Sequence, residues 1–357
     1  VQGSPDAIQA VSQRLESFIS ARVDEAADAG PLARPILELS AATLQGGKRL
    51  RAAFCYWGWR SVTDATGTDE IVAAAAALEV FHAAALVHDD IIDNSDTRRG
   101  RPATHRAFEG AHLAGGWTGD AAAYGRSSAI LAGDLLVAWS DDLFEEGIAD
   151  APADRARAAR RRYAEMRRDV TVGQYLDIAA ETVPAPDAEQ LGRALHVASF
   201  KSARYSVQQP LLIGAAIGGA STEQQEALRD FGHPIGMAFQ LRDDVLGVFG
   251  DSAATGKPSG DDLREGKRTA LIAFARQELP ASVRRTLDEL LGDPDLDDTQ
   301  VRMLQDTIRD SGALDRVEDL IASYTREADR ALSGAPLDNA SVGALRDLAR
   351  AAVHRVS

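Results

Sequence analysis

The chain has 357 residues, 45% hydrophobic and 26% charged, enough apolar material for a sizeable core. A formal net charge of −15 argues against a nucleic-acid partner, because phosphate backbones are bound by basic surfaces. It leaves room for a small phosphorylated substrate met by a local group of cations, and the single cysteine, Cys55, excludes an internal disulfide and fits a reducing, cytoplasmic location.

The opening residues, Val-Gln-Gly-Ser-Pro, have neither a basic n-region nor an apolar h-region, so no signal peptide is expected. Helical periodicity then covers 5–28, 34–44 and 48–60, with Cys55 set in Ala-Ala-Phe-Cys-Tyr-Trp as a small buried hydrophobe. A helix over 69–93 contains the alanine-rich run from Ile71 to Val87. That run is short of a membrane span and holds Glu79 and His82, so it reads as a buried helix and no transmembrane segment is expected. The five glycines from Gly110 to Gly125 suggest an irregular excursion. Helices follow over 126–148, 153–181, 187–203, 204–218, 222–247, 267–278, 281–291, 299–311, 313–333 and 340–355. Gly46-Gly47, Gly100 to Pro102, Pro184-Ala-Pro186, Gly250 to Gly260 and Gly292-Asp-Pro294 separate the helices. With no repeat and no low-complexity linker, residues 1–357 read as one all-α domain.

An acidic chain makes aspartate pairs by chance, and this one has five. Asp297-Asp298 lies in a polar turn, and Asp141-Asp142 leads into Glu145-Glu146 on what reads as an exposed helix face. Asp89-Asp90 and Asp243-Asp244 differ, because each interrupts an apolar helical run. Buried carboxylates are costly unless paired or metal-bound, so two such helices suggest a shared internal site. Asp89 and Asp93 are four apart and project from one helical face. Magnesium commonly binds through a few carboxylates plus substrate phosphates. Arg98 and Arg99, closely following, would neutralise phosphate oxygens that the metal does not reach.

Further motifs occur in order along the chain. They are Gly46-Gly47-Lys48-Arg49-Leu50-Arg51, Asp89-Asp90-Ile-Ile-Asp93 with Arg98-Arg99-Gly100, Gly173-Gln174-Tyr-Leu-Asp177, and Phe200-Lys201-Ser202. Phe239-Gln240-Leu-Arg-Asp243-Asp244, Gly256-Lys257-Pro258 and Asp261-Asp262-Leu-Arg-Glu-Gly-Lys267-Arg268-Thr269 complete the series. In this set, spread over residues 34–270, the chain resembles the trans-isoprenyl diphosphate synthases, or polyprenyl synthetases.

The resemblance implies an all-α, isoprenoid-synthase-type helical bundle around a deep central cavity, assembled as a homodimer. It implies magnesium-dependent, head-to-tail joining of isopentenyl diphosphate to an allylic diphosphate, with three Mg2+ ions per site. By position, Asp89, Asp90 and Asp93 would bind metal on one side of the allylic diphosphate, and Asp243 and Asp244 on the other. Arg98, Lys201 and Lys257 would contact that diphosphate, with Lys267 also among the substrate-binding cations. Lys48, Arg51, His82 and Arg99 would hold isopentenyl diphosphate, and Gln174, Asp177 and Gln240 would line the reacting region. Two positions depart from the family pattern. Gly247 stands where many relatives have a third aspartate, leaving Asp243 and Asp244 to serve that metal, with Asp261 as a possible helper; Ser202 replaces threonine but keeps a hydroxyl.

The resemblance also implies that product length depends on what closes the cavity along the helix of the first aspartates. Ala84 and Ala85 are small, so Phe81 becomes the expected floor. One prenyl unit is about as long as one helical turn of ~5.4 Å, which points to geranylgeranyl diphosphate (C20), with C25, C15 or a longer chain as alternatives. A terpene cyclase is disfavoured by the second aspartate pair and by Lys48-Arg49-Leu50-Arg51, and a non-catalytic partner subunit by the intact first motif. Gly250 to Pro258 lacks the spacing and the Ser or Thr of a P-loop. The seven histidines lack zinc-ligand spacing. His88 could be a supporting partner or helix filler, and Tyr163, Met166 and Tyr175 read as core.

Overall fold

The computed structural model describes residues 5–65, 69–250 and 259–353. Gly256-Lys257-Pro258 lies outside the described residues. Ten long helices come first: α1 (Pro5–Glu25), α2 (Arg34–Thr43), α3 (Leu50–Arg60), α4 (Asp69–Ile92), α5 (Thr104–Ala114), α6 (Ala121–Ile148), α7 (Ala153–Thr182), α8 (Asp187–Val197), α9 (Gln209–Gly218) and α10 (Thr222–Phe249). After them come α11 (Asp261–Glu265), α12 (Ala270–Glu278), α13 (Ala281–Leu290), α14 (Asp298–Asp310), α15 (Ala313–Leu332) and α16 (Asn339–Val353). Among the described residues the sole sheet is an antiparallel pair, β1 (Thr97–Arg98) and β2 (Arg101–Pro102).

The core is organised around α4. Its apolar residues have no single stripe, because Ile71, Ala73 to Leu78 and Val80 to Phe81 are all buried. α4 is long and apolar enough to cross a membrane, but most of it is enclosed by the rest of the fold, chiefly by α6, α3 and α1. Alanine on α4 permits that close packing. A second core, formed by the end of α10 with α12 to α15, supports the other side of the site.

Four local differences from the sequence expectation are informative. The Gly110 to Gly125 segment is mostly helical, with α5 running to Ala114 and α6 beginning at Ala121 under an Asp120 cap. Gly125 there is a packing residue: a Cβ would stand 2.4 Å from the His105 carbonyl oxygen. Tyr175 is 69% exposed, whereas Tyr163 and Met166 are buried as expected. α3 begins at Leu50, because Arg49 adopts a left-handed conformation with φ 51°, so Lys48 and Arg49 stand in the loop before it. The two expected helices over 187–218 are one continuous rod, α8 and α9 joined through a π-helical segment, Ala198–Gln208.

Candidate active site

The last turn of α4 carries Asp89, Asp90 and Asp93, and the β1–β2 hairpin folds back over it. Arg99 and Gly100 form its two-residue turn with φ 53° and 71°, the left-handed pair that suits tight hairpins. This turn sends the adjacent arginines in different directions. Arg98 Nε donates to Asp90 Oδ1 at 2.8 Å, and its guanidinium lies 3.5 Å from Asp89. Arg99 donates to the Gln45 carbonyl oxygen at 3.3 Å and lies against Gly47.

The π-helical segment supplies the third wall. Its wider ladder, in which the Gln209 N–H reaches the Arg204 carbonyl, is a feature often found at functional sites. Lys201 Nζ lies 2.6 Å from Asp177 Oδ2 on α7 and 3.3 Å from Asp89 Oδ1 on α4. Gly173, one turn before Asp177, makes the approach possible: a Cβ there would stand 2.3 Å from the Lys201 nitrogen. Gln174 Nε2 is buried without a hydrogen-bond partner. Further along the segment, Tyr205 and Ser206 hold a basic group together. Arg51 donates to Ser206 Oγ at 2.8 Å with its guanidinium 4.3 Å above the Tyr205 ring, while His82 Nδ1 lies 3.1 Å from Tyr205 Oη. Lys48 is exposed in the loop before α3.

On α10, Gln240 donates to Asp244 Oδ1 at 2.7 Å, and Asp243 is half-buried next to it. Arg242 turns outward and pairs with Glu318 at 2.6 and 2.7 Å, fastening α10 to α15. Lys267 ties the end of α4 to α11, standing 3.4 Å from Asp93 and 3.6 Å from Asp262 while pairing with Glu265. Gly247 is explained by Asp262, whose Oδ2 would lie 2.0 Å from a Cβ at that position. Gly247→Asp is therefore expected to disturb Asp262 rather than add a useful ligand, costing about 1–3 kcal/mol in overpacking. Thermal unfolding and turnover would both fall; a variant with wild-type stability and raised turnover would contradict this.

Burial opposes the Asp89 charge, but Lys201, Lys267 and Arg98 outweigh it and hold the carboxyl below its usual range. Asp93 is pushed up to about 6 by burial, with Asp89 and Glu265 adding to the rise and Lys267 opposing it. Asp244 is pushed up to about 8 by burial, then by Asp262 and Asp243. Lys201 and Lys267 stay firmly protonated: burial works against them, and the surrounding carboxylates win. His82 is held well below its ordinary value by burial and then by Arg51, Arg99, Arg98 and Arg49, so it is neutral at pH 7. The site thus has a carboxylate-rich side tied by lysines and an arginine-rich side built on Tyr205. Among the described residues no three acidic, His or Cys side chains form a metal cage by themselves. Asp89 Oδ1 and Asp93 Oδ2 are buried and are met by the Lys201 and Lys267 ammoniums at 3.3 and 3.4 Å, oxygen donors whose chemistry also suits a hard cation.

An all-α fold that gathers carboxylates beside a separate cationic group suits an anionic ligand. Residues 34–308 match the polyprenyl synthetase family. The fold is similar to the crystal structure of a geranylgeranyl pyrophosphate synthase from Corynebacterium glutamicum complexed with isoprenyl diphosphate and magnesium: 36% identity, 98% of each chain covered, TM-score 0.92. A geranylgeranyl diphosphate synthase of Methanosarcina mazei is 32% identical over 321 residues, covering 88% of each chain. A geranylfarnesyl diphosphate synthase of Aeropyrum pernix is 32% identical over 318 residues, covering 87% of this chain and 92% of its own. The chain belongs to the polyprenyl synthetase family and is a trans-prenyltransferase of all-α fold.

The structure brings together Asp89, Asp90, Asp93, Arg98, Asp177, Lys201 and Lys267 by direct contact, and Arg51 with His82 by way of Tyr205. Sequence reasoning missed Tyr205, Ser206, Glu265 and the part played by Asp262. Tyr205 had one signal, its place a turn beyond Lys201. Asp262 had another, its place beside Asp261 in the last motif of the series.

Proposed function

We propose that the protein joins isopentenyl diphosphate head to tail to an allylic diphosphate, with geranylgeranyl diphosphate (C20) as its main product. The observation that carries this reading is the convergence of Lys201 and Lys267 on the Asp89 and Asp93 carboxylates, beside a separate basic group at Arg51 and His82. The first arrangement suits an allylic diphosphate shared with cations, and the second a diphosphate bound without metal.

In this reading Asp89, Asp90 and Asp93 hold magnesium on one side and Asp243 and Asp244 on the other, three ions in all. Bound magnesium supplies charge that stabilises the departing pyrophosphate. Lys201, Arg98, Lys267 and Lys257 neutralise its remaining oxygens. Asp177 aims the Lys201 ammonium, to which it stands at 2.6 Å. Lys48, Arg51, Arg99 and neutral His82 hold isopentenyl diphosphate so that its double bond faces the allylic carbon. Gln174 and Gln240 border the reacting region, Gln240 through its bond to Asp244. The proton lost after carbon–carbon bond formation passes to the pyrophosphate, so no side-chain base is required. A homodimer completes the proposal, supported by exposed Ile130 and Leu131 on α6; a cytoplasmic location accords with the single cysteine of the chain.

Metal loading should release protons. Asp244 at about 8 is mostly protonated at pH 7, whereas a metal-bound carboxylate is ionised. Titration with magnesium plus a non-hydrolysable diphosphate analogue is expected to release roughly one proton per site at pH 7, read as a calorimetric heat that varies with buffer. A heat independent of buffer would contradict the Asp244 assignment. The reaction itself is tested by pyrophosphate release, which should require magnesium and both substrates. Release from the allylic substrate alone would indicate a cyclase.

A further inference from the structure

Helix α3 carries Arg51, with Lys48 in the loop just before it, yet its start has no cap of its own. Arg49, the N-cap residue, is left-handed and makes no side-chain cap hydrogen bond. Helix starts leave backbone N–H groups that need acceptors, and a left-handed residue other than glycine must be held in place. Glu79 meets both needs from α4. Its Oε1 accepts the Ala52 N–H at 3.0 Å, and its Oε2 stands 3.7 Å from the Arg49 guanidinium. The Arg49 side chain also donates to the Leu44 carbonyl oxygen at 2.6 Å, closing the loop onto itself. Glu79 is only 5% exposed, in the middle of a long apolar helix. The reaction as proposed above makes no use of it.

We infer that Glu79 is a positioning residue for isopentenyl diphosphate, fixing the loop and helix start that present Lys48 and Arg51. With Arg49 drawn inward onto Glu79, Lys48 is left exposed at the loop, and Arg51 is set for Ser206 and the Tyr205 ring. Glu79 also brings a negative charge into a group where Arg49, Arg51 and Arg99 crowd one another. The Arg99 guanidinium is lowered by burial and by Arg49, and Glu79 opposes that shift. Glu79 acts through these cations and touches no substrate itself. The inference rests on the reading that Lys48 and Arg51 hold isopentenyl diphosphate.

The test compares Glu79→Gln and Glu79→Ala with Lys48→Ala, measuring KM for each substrate with the other saturating. Gln keeps an acceptor for the Ala52 N–H and loses the charge facing Arg49, whereas Ala loses both. Glu79→Ala is expected to raise the isopentenyl diphosphate KM roughly tenfold, the size of one lost charge-assisted contact, with the allylic KM within about twofold. Glu79→Gln should rescue part of the loss. Equal rises in both KM values, no rise in a folded variant, or failure of Glu79→Gln to fold would overturn the inference. If Lys48→Ala also leaves the isopentenyl diphosphate KM unchanged, the assignment of that basic group falls instead. If Lys48→Ala raises it and the Glu79 variants do not, Glu79 alone is removed from the account.

Discussion

Asp89→Asn is expected to lower turnover roughly 10³-fold with the helical fold intact, the loss typical of removing one preorganised group that stabilises transition-state charge. Asp89 is where Lys201, Arg98 and the proposed metal side meet: the lysine stands at 3.3 Å and the arginine at 3.5 Å. The amide keeps the shape but neither balances these cations nor binds magnesium well. Both cations retain a second partner, Asp177 for Lys201 and Asp90 for Arg98, so the fold should survive. Because the folded Asp89 carboxyl is held below its ordinary value, its contribution to stability is present above about pH 4 and lost as pH falls through the folded value. Wild-type and variant should therefore converge in stability in acid. Steady-state turnover with circular dichroism checks the main claim, and near-normal turnover would remove Asp89 from the site.

Phe81→Ala is expected to lengthen the product by about one prenyl unit. Phe81 is 6% exposed and packs edge-on against Tyr163 and Tyr205, with ring centroids 6.4 and 6.0 Å away. Above it, toward the aspartates, Ala84 is fully buried and Ala85 half-buried, and neither fills space. Removing the ring should open about one helical turn, ~5.4 Å, at a stability cost of about 3–5 kcal/mol. Lengthening should then stop at a second layer. Tyr163 stacks on Phe144 with centroids 4.1 Å apart and bonds to Ser140, so shortening Tyr163 as well should lengthen the product again. Product analysis on the two variants tests this. An unchanged chain length in Phe81→Ala would show that the floor lies elsewhere.

The helical fold was legible because most helices carry plain 3.6-residue periodicity with breakers between them. The first and third aspartate pairs stood out because they break apolar runs where carboxylates are costly. What escaped depends on contacts that leave no local mark. The glycines of 110–125 were read as breakers, yet Gly125 serves the packing of α6 on α5. The π-helical segment was divided into two ordinary helices, because an i→i−5 ladder has no composition of its own. Gly247 gives no local sign that its space is filled by the Asp262 carboxylate, which is distant in sequence. Tyr175 was placed in the core because it is aromatic and well spaced, but it lies on the exposed side of α7.

The central claim is tested most directly by incubating the protein with magnesium, labelled isopentenyl diphosphate and C5, C10 or C15 allylic diphosphates, then resolving products by chain length. The account predicts magnesium-dependent elongation that converges on a dominant C20 product from every starter accepted. Products running well beyond C25 would contradict Phe81 as the floor, and no elongation with any starter would contradict the proposed reaction.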